Sequence, residues 1–373
     1  MKIAIISHTE HYTKKDGTVV GWGSTIKEIN HLTEIVDKIT HIAPLHSIKP
    51  PLSSLPYNST SIEFVPLKPS GGKFLKKLSI LYTAPYNLIK IHKAIKNADY
   101  VQFRAPTGMG IYVLPYLKFI NSKKYWVKYA GNWKDEQMPL GNKVQKIWLQ
   151  KCLPLKNKVT VNGNWQSEKK NVLPFNNPCL DENDRLLGKD STKNKDLSNK
   201  INFCFVGALN NHKGVDKIIN AFLKINNDLI GTIHFAGDGV LKEKYTSLAN
   251  NIKYKVIFHG ALPKNELTEI YRQSHFILLP SKSEGFPKVI GEAMNFGCIP
   301  IVSEVSCINQ YITDKENGFL ISPLSEQQIQ TKIEEALLLT EKSFFEIINK
   351  NYDKASIFTY KYYNNQLLKK VFI

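Results

Sequence analysis

The chain has 373 residues, 42% of them apolar and 22% charged, and a formal net charge of +18. That length suggests about two domains with a core that needs no staples. The composition excludes disorder, collagen-like repetition and a disulfide scaffold, and no apolar run approaches the roughly 18–20 residues of a membrane span.

Five scattered cysteines, none in a CxxC pair, read as reduced thiols of a cytoplasmic protein. The N-terminus enters a strand-like run at once and lacks the apolar stretch of a signal peptide. The charge is uneven. Residues 1–170 hold 26 Lys+Arg against 10 Asp+Glu, and residues 171–373 hold 24 against 22. No nucleic-acid-binding motif accompanies the basic half, so nucleic acid is not the expected partner.

Strands and helices alternate from the first residues. A strand is predicted over 3–7, followed by a turn-rich stretch at 14–17 and by Gly21-Trp22-Gly23. A helix starts near 26–32 and a strand covers 61–67. Between 73 and 82, Leu75, Leu78 and Leu81 recur at helical spacing beside Lys73, Lys76 and Lys77. Such a stretch suits an anionic membrane surface, and equally a surface helix with solvated lysines. A helix over 82–97 and strands over 98–103 and 125–129 follow. His8 and His11 lie three apart after the first strand, where a loop is expected, so no metal site is read there.

Residues 176–200 are polar and read as a linker or surface excursion. Then come strands over 201–206, 229–236, 256–258, 276–279 and 299–303. Helices fall over 215–224, 241–250, 266–273, 287–296 and 326–339. The alternation predicts parallel βαβ units in two doubly wound domains, with ligands at the carboxyl ends of the strands. Residues 355–373 form a terminal amphipathic helix.

The informative turns follow strands. Val206-Gly207 through Lys213-Gly214 places a glycine at a strand end and a lysine beside a helix N-terminus, a pattern that suits an anion. Ala236-Gly237-Asp238-Gly239 is a glycine-rich turn. Glu284 and Glu292 are eight apart, but Gly285 to Pro287 reads as a loop with its proline at the helix start. Glu284 then belongs to the loop and Glu292 to the helix, with the amides of 285–289 between them. Two carboxylates so placed can each accept from vicinal hydroxyls.

These segments, VGALNNHKG, AGDG, FHGALPKNEL, SEGFPKVIGEAMNFGCIPIVS and ENGFLISP in that order, resemble the donor domain of GT-B glycosyltransferases, specifically glycosyltransferase family 4. Residues 1–175 resemble the family's N-terminal domain in layout only. The resemblance implies a GT-B fold: two Rossmann-like domains facing a central cleft, with a C-terminal helix crossing back. The domains are then 1–175 with 355–373 on the acceptor side, and 201–354 for the donor.

It implies a retaining transfer from a nucleotide-diphosphate sugar to a glycan or lipid-linked acceptor, without a cofactor or bound metal. Glu292 would hold the donor ribose, and Glu284 would sit at the sugar. Gly285, Phe286, Pro287 and Val289 would offer amides or walls to sugar and phosphate. Lys213 would neutralise the diphosphate. Gly207 and Gly237 would line the phosphate turns, and Leu262 would border the base. Gly21 and Gly23 would close over the phosphates from the other domain.

Two departures stand out. Ala208 occupies the place of a common arginine, and the stretch from Lys128 to Trp133 lacks a common histidine. His212 and Arg104 are the candidate replacements, Arg104 being as readily structural. Surface polysaccharide or glycolipid assembly at an anionic membrane is the expected setting. A nucleotide-sugar epimerase of the same shape and a catalytically silent sugar-nucleotide binder are the alternatives.

Overall fold

The computed structural model describes residues 1–72, 78–120, 123–135, 138–165 and 169–373. Lys73, Lys76 and Lys77, the expected membrane patch, lie outside the described residues. The chain divides into two compact units, Met1–Asn176 with Tyr363–Ile373, and Asn177–Tyr362. No helix among the described residues is long and apolar enough to cross a membrane.

The first unit contains β1 (Lys2–Ile6), β2 (His11–Thr13), β3 (Val19–Trp22), α1 (Gly23–Leu32), β4 (Lys38–His46), β5 (Ser54–Pro56) and β6 (Ile62–Leu67). It continues with α2 (Ser79–Ile95), β7 (Tyr100–Ala105), α3 (Gly110–Phe119), β8 (Lys124–Tyr129), α4 (Leu140–Lys151), β9 (Lys158–Asn162) and β10 (Val172–Phe175). The parallel sheet runs β6-β4-β1-β7-β8-β9-β10. A β2–β3 hairpin joins the end of β4 and is bordered by β5.

Alternation along β1 sorts the two faces. Ala4 and Ile6 enter a cluster with Ile91 of α2, Val113 and Leu117 of α3 and Leu149 of α4. Ile3 and Ile5 enter another with Ile29 and Leu32 of α1 and with Tyr363 and Leu367. So α2, α3 and α4 cover one face, as three crossovers made in the same direction require.

Strand β4 is central, yet its sequence KITHIAPLH hides it. His41 is fully buried there because Ser7 Oγ (2.7 Å) and Tyr57 OH (2.7 Å) occupy its two ring nitrogens. Burial holds the His41 imidazole well below its ordinary pKa, hence neutral.

The second unit contains α5 (Glu182–Lys193), β11 (Ile201–Val206), α6 (Val215–Lys224), β12 (Ile230–Ala236), α7 (Lys242–Ala249), β13 (Lys255–Gly260) and α8 (Lys264–Gln273). It continues with β14 (Phe276–Leu279), α9 (Lys288–Asn295), β15 (Ile299–Ser303), β16 (Phe319–Ile321), α10 (Glu326–Leu337) and α11 (Glu341–Ala355). Its six strands are parallel in the order β13-β12-β11-β14-β15-β16. Numbered from β11 this is 3-2-1-4-5-6, with its reversal point between β11 and β14. With the sheet of the first unit, it makes the two Rossmann-like α/β units of a GT-B architecture.

Two expectations need correction. The stretch 176–200 is not a mere linker: helix α5 occupies its middle. Asp181 caps α5 by accepting from Asp184 N (2.8 Å), and Asp184 reciprocates to Asp181 N (3.0 Å). The polar composition belongs to a helix with a mostly exposed surface, docked through Arg185 to Asn295 Oδ1 (2.8 Å). The last helix, α12 (Tyr360–Lys370), joins the first unit from Tyr363, not from 355, because α11 and the 3-10 turn Ser356–Phe358 pack within the second unit.

Candidate active site

The reversal point of the second unit gathers most of the sequence-predicted residues. Leaving β11, the chain passes Gly207 and Ala208 and reaches Lys213 and Gly214 before α6. Gly214 is left-handed (φ +69°), and a Cβ there would lie 2.3 Å from the Pro280 carbonyl oxygen. Only glycine therefore lets this loop settle on the loop after β14. Lys282 N donates to His212 O (2.8 Å), stitching the two loops together. Across the stitch Lys213 forms an ion pair with Glu284, both side chains being largely buried. Sequence reasoning named both residues but not their contact, which spans 71 positions.

The turns after β12 and β13 close against the same point. Gly237 has φ +142°, and a Cβ there would come within 1.9 Å of Gly207 O. Gly237 N donates to Gly260 O (2.7 Å), and Leu209 N to Asp238 O (2.9 Å). Leu262 and Val289 lie half-buried against one core cluster, so a single apolar wall joins the β13–α8 turn to α9. Loop glycines are what allow three backbones to meet at this edge of the sheet.

Helix α9 begins directly after Pro287, with no side-chain cap and no acid in its first turn. Its amino end thus offers partial positive charge to a ligand rather than to its own chain. The Gly285 carbonyl accepts from Ser306 Oγ (2.8 Å), fixing the preceding loop. Phe286 is buried against Phe358 (4.7 Å between centroids) and Tyr311 (4.8 Å), so its backbone, not its ring, is available to a ligand. Lys282 in the loop and Lys288 at the start of α9 are two cations that sequence reading did not single out.

Glu292 lies inside α9, as its spacing required, and accepts from Tyr271 OH (3.0 Å). Burial, and secondarily the Glu292 carboxylate, raises the Tyr271 phenol well above its ordinary pKa, so it remains a donor. Tyr271 was invisible to motif reading because it lies on α8, 21 positions earlier. Ala208 and His212 are exposed at the rim of the same loop, with His212 N donating to Asn210 Oδ1 (2.9 Å).

The remaining candidates lie in the first unit. Gly21 sits in β3 where a Cβ would be 2.6 Å from His11 Nε2, and Gly23 starts α1 where a Cβ would be 2.5 Å from Ser53 O. Gly23 N donates to that same carbonyl (3.1 Å). Both glycines thus serve the packing of the hairpin. Arg104, at the end of β7, pairs with Glu28 and donates to Thr25 Oγ1 (3.0 Å), while Lys128 Nζ donates to Glu28 Oε1 (2.6 Å). One buried carboxylate thus serves two cations. His11 spends Nδ1 on Thr9 O (2.8 Å) and Nε2 on Tyr57 OH (2.8 Å).

The chain is similar to several known proteins. The family model Glycosyl transferases group 1 matches residues 189–351, a stretch that lies within the second unit. An uncharacterised 41.2 kDa protein in the cps region of Klebsiella pneumoniae is 24% identical over 265 residues, 67% of this chain and 72% of that one. Sucrose-phosphate synthase from Thermosynechococcus elongatus has a similar structure, with a TM-score of 0.75 at 14% identity over 100% of this chain and 99% of its own. Anabaena HepE in complex with UDP has a TM-score of 0.71 at 16% identity over 99% of both chains.

Proposed function

We propose that the protein is a retaining, metal-independent glycosyltransferase that moves a sugar from a nucleotide-diphosphate donor to a glycan or lipid-linked acceptor in surface polysaccharide or glycolipid assembly. The observation that carries this reading is the Lys213–Glu284 pair at the β11/β14 reversal point, beside the uncapped start of α9 and the tyrosine-held Glu292. The match of the group 1 family to this unit supports the reaction class, and the cps-region relative supports the setting. HepE, described with bound UDP, supports a nucleotide donor.

In this reading Glu292 accepts hydrogen bonds from the ribose hydroxyls, with Tyr271 holding its other oxygen. Without donor, Glu284 neutralises Lys213. An arriving diphosphate takes the ammonium and the α9 amides, and releases Glu284 to accept from a sugar hydroxyl. As the glycosidic bond breaks, negative charge grows on the leaving diphosphate, where Lys213 and the helix start are already oriented. No cation is needed beyond these groups, with Lys282, Lys288 or His212 nearby where Ala208 replaces an arginine. Leu262 and Val289 border the base. The basic first half suits an acceptor displayed on an anionic cytoplasmic leaflet.

The test is nucleoside-diphosphate release from a panel of nucleotide sugars, with EDTA present, with and without lipid-linked acceptors, followed by anomeric NMR of the product. Acceptor-dependent release with retained configuration supports the proposal. Release without any acceptor would point to an epimerase or hydrolase, and binding without release to a silent binder.

A further inference from the structure

The first half of helix α2 is built inside out. Its buried side holds Thr83, Asn87, Ile91 and Ile95, while Leu78 just before it and Leu81, Tyr82, Tyr86 and Ile89 within it stand exposed. The exposed set recurs every three or four residues and so forms one continuous outer stripe. Leu81 is 70% and Tyr82 76% accessible. The polar groups turned inward are satisfied: Thr83 donates to Ser79 O (2.8 Å), and Asn87 bonds both Lys68 N (3.0 Å) and Lys68 O (3.1 Å). In its first half this helix sends threonine and asparagine inward and leucine and tyrosine outward, an arrangement its own core does not explain.

Helix α4 repeats the pattern. Leu140 (81% accessible), Val144 and Ile147 recur at intervals of four and three on its outer side. Between them lies α3, with Ile111 and Phe119 exposed. The three helices are tied side by side on one face of the sheet. His92 bonds Tyr116 OH (2.8 Å) from α2 to α3, and Gln145 Nε2 of α4 donates to Thr107 O (2.8 Å) just before α3. Apolar residues scattered singly over a surface need no explanation, whereas two stripes on one face mark a contact surface.

Charge identifies what the face meets. Helices α2, α3 and α4 together contain six lysines and no aspartate or glutamate. Lys93, Lys96, Lys118 and Lys143 are exposed around the stripes, and Lys68 Nζ stands 4.4 Å over the Tyr86 ring. A second copy of this chain would set those cations against themselves. A lipid surface with anionic headgroups takes both features together, acyl boundary against the leucines and headgroups against the lysines.

We infer that the outer face of α2, α3 and α4 is a docking surface for an anionic lipid bilayer, with the exposed stripes of α2 and α4 entering the headgroup boundary. It extends the expectation attached to Lys73, Lys76 and Lys77 to different residues, and it does not depend on the reaction.

The experiment is co-sedimentation of the full chain with vesicles of phosphatidylcholine alone and of phosphatidylcholine mixed with phosphatidylglycerol, at low and high salt. Binding to the mixed vesicles should exceed binding to the neutral ones by about 10-fold or more, since each lysine near the surface adds about fivefold, and should weaken with salt. Leu81→Asp with Val144→Asp, and separately Lys93→Glu with Lys143→Glu, should each reduce that binding roughly 10-fold with unchanged melting, all four sites being exposed. Equal binding to both vesicles, binding to neither, or unchanged binding in both variants overturns the inference. So does a dimer, seen by light scattering, that the apolar variant dissolves while vesicle binding is absent; that outcome assigns the face to self-association.

Discussion

Replacing Glu292 separates its two duties. Its carboxylate accepts from the buried Tyr271 OH at 3.0 Å and, in the proposed reading, from the donor ribose. Glu292→Ala strands a buried phenol donor, which costs about 1–3 kcal/mol of stability. For a unit of this size that lowers the melting temperature by roughly 2–4 °C per kcal/mol. It also removes a charge-assisted acceptor, worth about 1.5–3 kcal/mol, so donor affinity falls roughly 10- to 150-fold.

Glu292→Gln keeps a carbonyl for Tyr271 and loses only the charge. It should melt like the parent and bind donor with an intermediate loss. Tyr271→Phe should weaken donor binding in the parent and add nothing in the Glu292→Ala background, because the phenol acts through the carboxylate. Calorimetric titration of nucleoside diphosphates, with melting curves of each variant, reads all of this. Parental affinity in Glu292→Ala, or additive losses in the double variant, would refute the reasoning.

Other outcomes follow from the same geometry. Lys213→Ala should lower turnover more than donor affinity, because charge grows on the leaving group in the transition state; a raised Michaelis constant with unchanged turnover contradicts this. Activity should survive EDTA, and complete loss restored by magnesium or manganese would reverse that expectation. Gly237→Ala drives a Cβ into the Gly207 carbonyl and should destabilise the second unit by about 1–3 kcal/mol, read by thermal melting.

Burial lowers His11 in the first unit, and His234 and His275 in the second, to about 4. These depressed values favour the folded state fully above about pH 6.5, the unfolded imidazole value. That contribution is lost as pH falls from there through about 4, so urea midpoints should drop between neutral pH and pH 5. Flat midpoints over that range would contradict it.

The second unit was legible because its strands are short, mostly apolar runs and its turns carry glycines that the backbone geometry demands, as at Gly214 and Gly237. Glu284 in a loop and Glu292 in a helix followed from Pro287 alone. The first unit was less legible. Strand β4 carries Pro44 and two histidines, and its burial depends on Ser7 and Tyr57, partners that no local window shows. Helix α2 was placed within a few residues, but the inversion of its first half was not, since periodicity reveals an apolar stripe without saying which way it points. Helix α5 was lost to its polarity, although Asp181 and Asp184 stood at capping spacing. Tyr271 and the Lys213–Glu284 contact are products of topology, in which distant loops meet at a strand-order reversal.

A crystal structure of the protein with a bound nucleotide-diphosphate sugar tests the central claim most directly. The account predicts the diphosphate within hydrogen-bond distance of Lys213 Nζ and the first amides of α9, the ribose hydroxyls on Glu292, and Glu284 turned from Lys213 toward the sugar. A donor seated elsewhere, or one bound there with the Lys213–Glu284 pair intact and Glu292 untouched, would contradict it.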